Sequence, residues 1–339
     1  MTERVLVTGG SGFVAGYLIR QLISEGWFVH ATVRDLAREE ATRNRLKVDD
    51  SRLRFFVAQL DSDAGWGEAM AGCTHVAHVA SPFPERAVKE PDQVIVPARE
   101  GALRVLRAAK AAGVMRMVMT SSAVATYYGR PQGVARPFTE ADWGDFSRPD
   151  LEPYYASKAI AERAARDWVA SEDGGVEFCT VNPSLMLGPV LCEDFSPSIN
   201  VVKKLLEGSL PGCPDLGWEI VDVRDVADLH VRMLKAPDMA GERFIASGPF
   251  FKMIDVALVL KQHLGTEARK VPTRRLPDVL FRVKGLFDPA TRQLAVGLGR
   301  IHRTDSSHAK AVFGWRSRPP EQSIVDTARS LLDLGVVRV

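Results

Sequence analysis

The chain has 339 residues, of which 46% are hydrophobic and 25% charged, a composition that is ordinary for a globular protein and excludes a disordered one. Its 44 basic and 42 acidic residues leave a net charge of +2, which excludes the strong positive field typical of nucleic-acid and anionic-membrane binders. The four cysteines form no Cys-x-x-Cys pair and no ligand pattern with histidine, so we expect reduced thiols and no metal site.

No apolar run in the chain approaches the roughly 18 residues that span a bilayer. The segment after Met1 leads directly into a strand-like stretch, without the charged and then apolar layout of a secretion signal. We therefore expect a cytoplasmic protein, monomeric or homodimeric, that acts on a small molecule and binds neither nucleic acid nor a membrane.

Short apolar runs rich in valine alternate with segments of helical period over residues 1–187. Strands are predicted, in chain order, at residues 4–8, 27–33, 54–58, 74–79, 116–120 and 176–181. Helices are predicted between them at residues 13–24, 36–46, 65–71, 94–112 and 153–170. Apolar strands that alternate with helices are typical of a parallel sheet covered on both faces, so the pattern predicts an α/β, doubly wound, Rossmann-type fold.

After residue 187 this alternation loosens, and prolines interrupt the chain repeatedly. Helices are predicted at residues 199–207, 223–236 and 321–334, and a strand at residues 243–246. We expect residues 188–339 to form a smaller, mostly helical substrate lobe. Segments near residues 219–247, namely 219–222 and 241–248, are expected to return to the large sheet of the first 187 residues.

A glycine-rich run follows the first predicted strand and opens the first helix, with the sequence Thr8-Gly9-Gly10-Ser11-Gly12-Phe13. Gly9 permits a tight turn, Gly12 lets the backbone approach a pyrophosphate, and Gly16 is expected to let the helix pack close to the strand. A glycine run in a strand–turn–helix unit predicts a dinucleotide site, because amides at the helix N-terminus face the phosphates.

The end of the second predicted strand distinguishes NADP from NAD. A carboxylate there binds the ribose 2′-hydroxyl, whereas an arginine accepts a 2′-phosphate. Arg34 occupies this position and Arg38 follows one helical turn later, so the sequence favours NADP(H). Asp35 is adjacent and would serve a ribose hydroxyl if Arg34 turned to solvent.

Leu60 and Asp61 follow the third predicted strand. The place of Asp61 after the strand predicts that its carboxylate accepts a hydrogen bond from the adenine amino group. The alternative is that Asp61 caps the next helix.

A second motif lies in the predicted helix 153–170. Tyr154 and Lys158 are separated by four residues and therefore share one helix face. A lysine beside a phenol favours the phenolate, which predicts a lowered pKa for Tyr154 and a proton donor to a carbonyl oxygen that receives hydride. Tyr155 has no lysine at the same spacing and is expected to line the pocket. Ser121 and Ser122 follow the fifth strand and offer a hydroxyl to the same oxygen.

These motifs together resemble the extended short-chain dehydrogenase/reductase family, and more closely its dihydroflavonol reductase, cinnamoyl reductase and aldehyde reductase branch. The similarity continues in the segments 72–82, 140–143, 181–184 and 222–230.

The resemblance implies a role for each site residue. Ser122, which directly precedes an alanine, is the implied catalytic serine; Tyr154 is the acid, and Lys158 binds the nicotinamide ribose and polarises Tyr154. The implied cofactor contacts include, besides the glycines, Arg34, Leu60 and Asp61, the residues Thr8, Phe13, Val14, Val79, Ala80, Ser81, Pro183 and Ser184. The implied substrate contacts are Ser81, Pro82, Phe83, Ser122 and Tyr154.

The leading interpretation is therefore an NADP-dependent oxidoreductase that reduces a hydrophobic or aromatic aldehyde or ketone. A nucleotide-sugar epimerase or dehydratase, or a hydroxysteroid-type dehydrogenase, would use the same fold and catalytic set. A dinucleotide sensor without catalysis is disfavoured because Ser122, Tyr154 and Lys158 are all present.

Overall fold

The computed structural model describes residues 3–82, 90–130, 136–146, 152–171, 175–193, 195–287, 291 and 295–338. Its strands are β1 (Arg4–Val7), β2 (Phe28–Val33), β3 (Leu53–Val57), β4 (His75–His78), β5 (Arg116–Thr120), β6 (Glu177–Pro183), β7 (Leu185–Leu187), β8 (Gly217–Asp222), β9 (Arg243–Ala246) and β10 (Phe250–Lys252).

The α-helices of the first 187 residues are α1 (Phe13–Ser24), α2 (Glu39–Leu46), α3 (Trp66–Met70), α4 (Asp92–Ala111), α5 (Val124–Tyr127) and α6 (Pro153–Ser171). Those that follow are α7 (Asn200–Glu207), α8 (Val223–Lys235), α9 (Met253–Leu264), α10 (Asp278–Phe287), α11 (Ser307–Phe313) and α12 (Pro320–Asp333).

The large sheet has the strand order β3-β2-β1-β4-β5-β6-β9, and all of its neighbouring strands are parallel. The carboxyl ends of these strands therefore lie at one edge. The chain runs outwards from β1 to β3 and then returns to start β4 on the other side of β1. Ligands of doubly wound sheets bind in the crevice at this reversal, so the order confirms the predicted fold and locates the site edge.

Both faces of the large sheet are covered. Helices α1 and α8 pack on one face, where Leu18 and Val226 belong to one apolar cluster. Helices α3, α4 and α6 cover the other face, with Trp66 and Leu106 in a second cluster. This double cover explains why every residue of β5 is buried.

A second, smaller sheet is formed by β7, at the end of the first 187 residues, and by two strands of the C-terminal part of the chain. Its order is β10-β8-β7, with β7 and β8 parallel and β10 and β8 antiparallel. Helices α7, α9 and α12 pack around it through a cluster that includes Leu205, Leu260 and Leu331. The division of the chain at residue 187 stays a prediction.

The two segments that were expected in the large sheet differ in their outcome. Strand β9 lies there, with Thr180 of β6 opposite Arg243. The segment 219–222 does not, because it belongs to β8 in the small sheet, so this part of the prediction is wrong. The physical reason is that β9 occupies the edge of β6, while β7, which follows β6 directly, offers its own edge to β8.

Candidate active site

The turn between β1 and α1 is held against β2 by its backbone. The Gly9 amide donates to Thr32 Oγ1 over 2.9 Å, and the Gly10 amide donates to the Thr32 carbonyl over 2.7 Å. Gly9 has a φ of +67°, and a Cβ there would lie 3.1 Å from the Ala80 Cβ, so the turn requires glycine. Gly12 precedes α1 without a side-chain cap, which leaves the first amides of the helix for an anion.

Thr8 joins this turn to the end of β4. Its Oγ1 lies 2.9 Å from His78 Nδ1 and accepts the Ala80 amide over 3.0 Å. Burial, together with the charge of Lys158, lowers the pKa of His78 to about 3. His78 is therefore neutral at physiological pH and serves as a structural partner of Thr8.

The segment after β4 contains several of the predicted contacts. Val79, Ala80, Ser81 and Pro82 are half-buried and follow the carboxyl end of the strand. Phe83, a predicted substrate contact, lies outside the described residues.

Gly16 packs against different neighbours from those expected. A Cβ at Gly16 would lie 2.9 Å from Leu191 Cδ1 and 3.7 Å from Leu46 Cδ2. The glycine therefore makes room for a side chain of the C-terminal part and for helix α2, and the predicted close approach of α1 to a strand at this residue is wrong. The reason is that Leu191 and Leu46, and not a strand, fill the space beside this glycine.

Arg34 and Asp35, the two charged residues directly after β2, have different surroundings. Arg34 is exposed. The Asp35 carboxylate accepts the Ala37 amide over 2.9 Å and caps the short 3₁₀ turn Leu36–Arg38. Asp35 therefore has a structural role in this turn, and the choice between the two residues as the ribose contact stays a prediction.

The two predicted contacts in the loop after β3, Leu60 and Asp61, lie in different surroundings. Leu60 packs on α4, where a Cβ at Gly101 would lie 2.9 Å from the Leu60 Cβ. Asp61 is exposed. Helix α3 begins at Trp66 with Gly65 as its N-cap, so the alternative that Asp61 caps this helix is wrong.

The two serines after β5 lie in different surroundings. Ser121 is buried, and its hydroxyl donates to Glu162 Oε2 over 2.5 Å. Ser122 is half-buried, and its Oγ lies 3.4 Å from the Val124 amide, a weak contact. The Ala123 amide donates to the Pro183 carbonyl over 2.9 Å, which holds this loop beside the end of β6. Ser122 therefore has the more available hydroxyl at the sheet edge.

Tyr154 and Lys158 lie on one face of α6, as the spacing predicts. Lys158 is buried, and its Nζ lies over the Tyr154 ring at 5.6 Å from the centroid. The start of α6 is joined to α5, because the Glu152 amide donates to the Tyr128 hydroxyl over 3.2 Å. This contact keeps the Tyr154 helix near the loop that carries Ser122.

The predicted direction of the Tyr154 pKa is wrong. Burial raises the pKa of Tyr154 to about 12, and the Glu152 carboxylate adds to the effect. Burial also lowers the pKa of Lys158 to about 8. Removal from water penalises the phenolate, and the same burial disfavours the ammonium form of Lys158. Tyr154 is therefore fully protonated at neutral pH, as a proton donor must be.

The end of β6 provides an unpartnered polar group. Pro183 is buried, and Ser184 follows it. The Ser184 Oγ is buried and has no hydrogen-bond partner in the described part of the chain. Buried hydroxyl groups normally have a hydrogen-bond partner. At the carboxyl edge of the sheet, a bound ligand would supply the partner that Ser184 lacks.

Glu162 is a residue of the site that the sequence pattern did not indicate. Glu162 lies one turn beyond Lys158, is wholly buried, and binds Ser121, Asn182 and Arg243. Its spacing of four from Lys158 was a signal that could have indicated it, but its partners come from distant parts of the chain.

The cysteines and the candidate metal ligands form no second site among the described residues. None of the four cysteines takes part in a disulfide bond. Within the described ranges, no group of three or more metal-ligating side chains is found. No helix among those residues is long and apolar enough to cross a membrane.

Comparison with known proteins decides the family. The model of the NAD-dependent epimerase/dehydratase family matches residues 5–246, which is more than half of the chain. The chain belongs to this family.

The curated relatives of this family member include several reductases. A dihydroflavonol 4-reductase from Hordeum vulgare is 37% identical over 255 residues, covering 72% of this chain and 70% of the relative. Cinnamoyl-CoA reductase 1 from Arabidopsis thaliana is 35% identical over 247 residues, with 72% and 70% covered. These matches confirm the resemblance to the extended short-chain dehydrogenase/reductase family and the prediction of an oxidoreductase.

Solved structures share the fold. Gre2 from Candida albicans, crystallised in complex with NADPH, has a TM-score of 0.83 at 23% identity and covers 98% of this chain and 99% of its own. A UDP-glucose 4-epimerase from Thermotoga maritima has a TM-score of 0.74 at 18% identity, with 97% and 99% covered. At these identities the likeness shows the Rossmann-type fold.

Proposed function

We propose that this family member reduces the carbonyl group of an aldehyde or ketone, hydrophobic or aromatic, to an alcohol with NADPH. The observation that carries the proposal is the arrangement at the sheet edge. Ser121 is engaged by Glu162 and Ser122 is not, while Tyr154 is protonated and lies on one helix face with the buried Lys158. The reductase relatives support the same chemistry.

The described residues fit a bound NADP(H). The Gly9 turn is compact, the first amides of α1 lack a side-chain cap, and the buried Ser184 hydroxyl has no hydrogen-bond partner among the described residues. The amides after Gly12 would hold the pyrophosphate, and Lys158 and Ser184 would lie at the nicotinamide end. At the other end, Arg34 would bind the 2′-phosphate, which selects NADPH over NADH.

The chemistry follows from these positions. NADPH, when bound, supplies the hydride that adds to the carbonyl carbon. Ser122 donates a hydrogen bond to the carbonyl oxygen and holds it at the sheet edge. Tyr154 gives its phenolic proton to that oxygen as negative charge develops there, so the product is the alcohol. Lys158 would donate hydrogen bonds from its ammonium to the ribose of the bound cofactor.

Aromatic side chains near Tyr154 support a hydrophobic or aromatic substrate. The Tyr155 ring lies 5.8 Å from the Tyr154 ring and 4.8 Å from the Tyr128 ring, centroid to centroid. Tyr127 stacks on His302 with centroids 4.6 Å apart. Such rings form apolar walls on which a planar substrate stacks.

The test is NADPH oxidation with a panel of aliphatic and aromatic aldehydes and ketones, in which we expect turnover and a preference for the bulkier apolar compounds. A hydroxysteroid tested in the panel in the oxidative direction, with NADP⁺, distinguishes the dehydrogenase alternative. UDP-glucose, followed for epimerisation without added cofactor, tests the epimerase alternative. NADPH binding with no turnover of any compound would leave a sensor as the function and would refute the proposal.

A further inference from the structure

Glu162 is buried at the base of the proposed catalytic helix. It follows Lys158 by four residues on α6, as Lys158 follows Tyr154, so the three side chains lie along one face of the helix. The Glu162 side chain is 0% exposed. A wholly buried carboxylate on the same face as the proposed acid calls for a physical explanation.

The two oxygens of Glu162 have separate sets of partners. Oε1 accepts hydrogen bonds from Arg243 Nε over 2.7 Å and from Arg166 Nε over 3.2 Å, and Thr180 Oγ1 also lies 3.2 Å from it. Oε2 accepts hydrogen bonds from Ser121 Oγ over 2.5 Å and from Asn182 Nδ2 over 2.9 Å. Both cations therefore contact one oxygen, and the other oxygen holds Ser121, which follows β5, and Asn182 of β6.

The ionised state of Glu162 is maintained by these partners. Burial by itself raises the pKa of the carboxyl group. The charges of Arg243 and Arg166, together with the hydrogen bonds from Ser121 and Asn182, offset the burial and hold the pKa below its ordinary value. The carboxylate thus keeps its acceptor role at neutral pH.

The partners of Oε2 lead directly to Ser122. Ser121 is its neighbour in the chain, and Asn182 Nδ2 also donates to the Ser122 carbonyl oxygen over 3.2 Å. The backbone on both sides of Ser122 is therefore tied, through Ser121 and Asn182, to one carboxylate oxygen on the helix that carries Tyr154 and Lys158.

We infer that Glu162 is a positioning residue, which sets the Ser122 hydroxyl relative to Tyr154 by holding Ser121 and Asn182 against helix α6. This role rests on the proposed function, because Ser122 binds the carbonyl oxygen only there. A small displacement of a reacting group lowers the rate of the chemical step, while binding of the cofactor at the other strand ends is unaffected.

Ser121→Ala tests this role without disturbing the buried charges, because Glu162 keeps both arginines and Asn182. The matched control is Thr120→Val, at the last residue of β5 and directly before Ser121. Its hydroxyl is also buried and lies 2.7 Å from His230 Nε2, but side chains alternate along a strand, so it points to the opposite face of the sheet and away from Glu162.

The experiment compares kcat, KM, the dissociation constant for NADPH and the melting temperature of Ser121→Ala, Thr120→Val, Ser122→Ala and the double variant Ser121→Ala/Ser122→Ala. We expect Ser121→Ala to lower kcat roughly tenfold with KM and NADPH affinity unchanged. Thr120→Val should keep full kcat. In the double variant, the loss of Ser121 should add nothing to the loss of Ser122, because its effect acts through that residue.

Three outcomes would overturn the inference: a full kcat in Ser121→Ala, an equal loss in Thr120→Val, or losses in the double variant that multiply. A Ser122→Ala variant with unchanged kcat would instead refute the serine assigned in the proposed function, and the positioning role with it. The two failures are therefore distinguishable, since only the last leaves Ser122→Ala active.

Discussion

The two ends of the proposed cofactor site differ in how their charged residues are surrounded. At the adenosine end, Arg34 and Asp61 are exposed side chains on the loops after β2 and β3. At the nicotinamide end, Lys158 and Glu162 are buried on helix α6, and Glu162 has hydrogen-bond partners on both carboxylate oxygens.

This difference determines what a substitution changes. An exposed cation gains a strong partner only when a charged ligand arrives, so its loss changes affinity with little effect on stability. A buried group is held by neighbours from several strands, and its loss also changes their geometry. The adenosine end should therefore control which cofactor binds, and the buried end should control the rate.

The largest effect is expected at the buried end. Tyr154→Phe removes the proposed proton donor and should lower kcat by roughly 10²–10⁴-fold, with NADPH binding nearly intact. Steady-state kinetics and fluorescence titration of NADPH measure the two quantities. Tyr155→Phe is the control, because it keeps the ring and has no lysine four residues later, and it should retain most of the activity. An inactive Tyr155→Phe beside an active Tyr154→Phe would contradict the proposed mechanism.

The exposed end should show an effect on affinity alone. Arg34→Ala removes a charge-assisted contact to the 2′-phosphate, which is worth about 1.5–3 kcal/mol, so the dissociation constant for NADPH should rise roughly tenfold to a hundredfold. The constant for NADH and the melting temperature should not change. Native protein that binds NADPH and NADH equally well would remove the basis for this assignment.

The pH dependence should come from the buried end. Burial lowers the pKa of Lys158 to about 8, and the proposed role requires the ammonium form, which is present below that pH and lost above it. Tyr154 contributes no loss in this range, because its raised pKa keeps it protonated. The kcat/KM for NADPH should therefore fall roughly tenfold for each pH unit above 8. A flat profile to pH 10 would show that the charge of Lys158 is not needed.

The smallest effects are expected for two glycines at the start of α1, Gly12 and Gly16, which should differ in whether they change NADPH affinity. Gly16→Ala meets the flexible end of Leu191 and should change the free energy of unfolding by about 1 kcal/mol or less, with NADPH affinity unchanged. Gly12→Ala places a Cβ 3.1 Å from the Gly9 carbonyl oxygen, at the turn that faces the pyrophosphate, and should weaken NADPH binding. Thermal unfolding and titration of NADPH compare the pair. Weaker NADPH binding by Gly16→Ala would contradict this expectation and would indicate that Gly16 belongs to the cofactor site.

Much of the architecture was predictable because it depends on neighbours in sequence. The alternation of apolar strands with helices predicted the doubly wound sheet, and the spacing of Tyr154 and Lys158 predicted their common face. The same reasoning failed for residues 219–222, which join the small sheet. The local sequence of an apolar strand does not specify which sheet it pairs with.

The sequence by itself determined the compact turn at Gly9, the helix face of Tyr154 and Lys158, and the cation at Arg34, since each follows from local backbone geometry or position. Only the tertiary structure decided the partners of Glu162, which come from β5, β6 and β9, and the neighbour of Gly16, which comes from the C-terminal part. It also decided the direction of the Tyr154 pKa, because removal from water depends on every element packed around the ring.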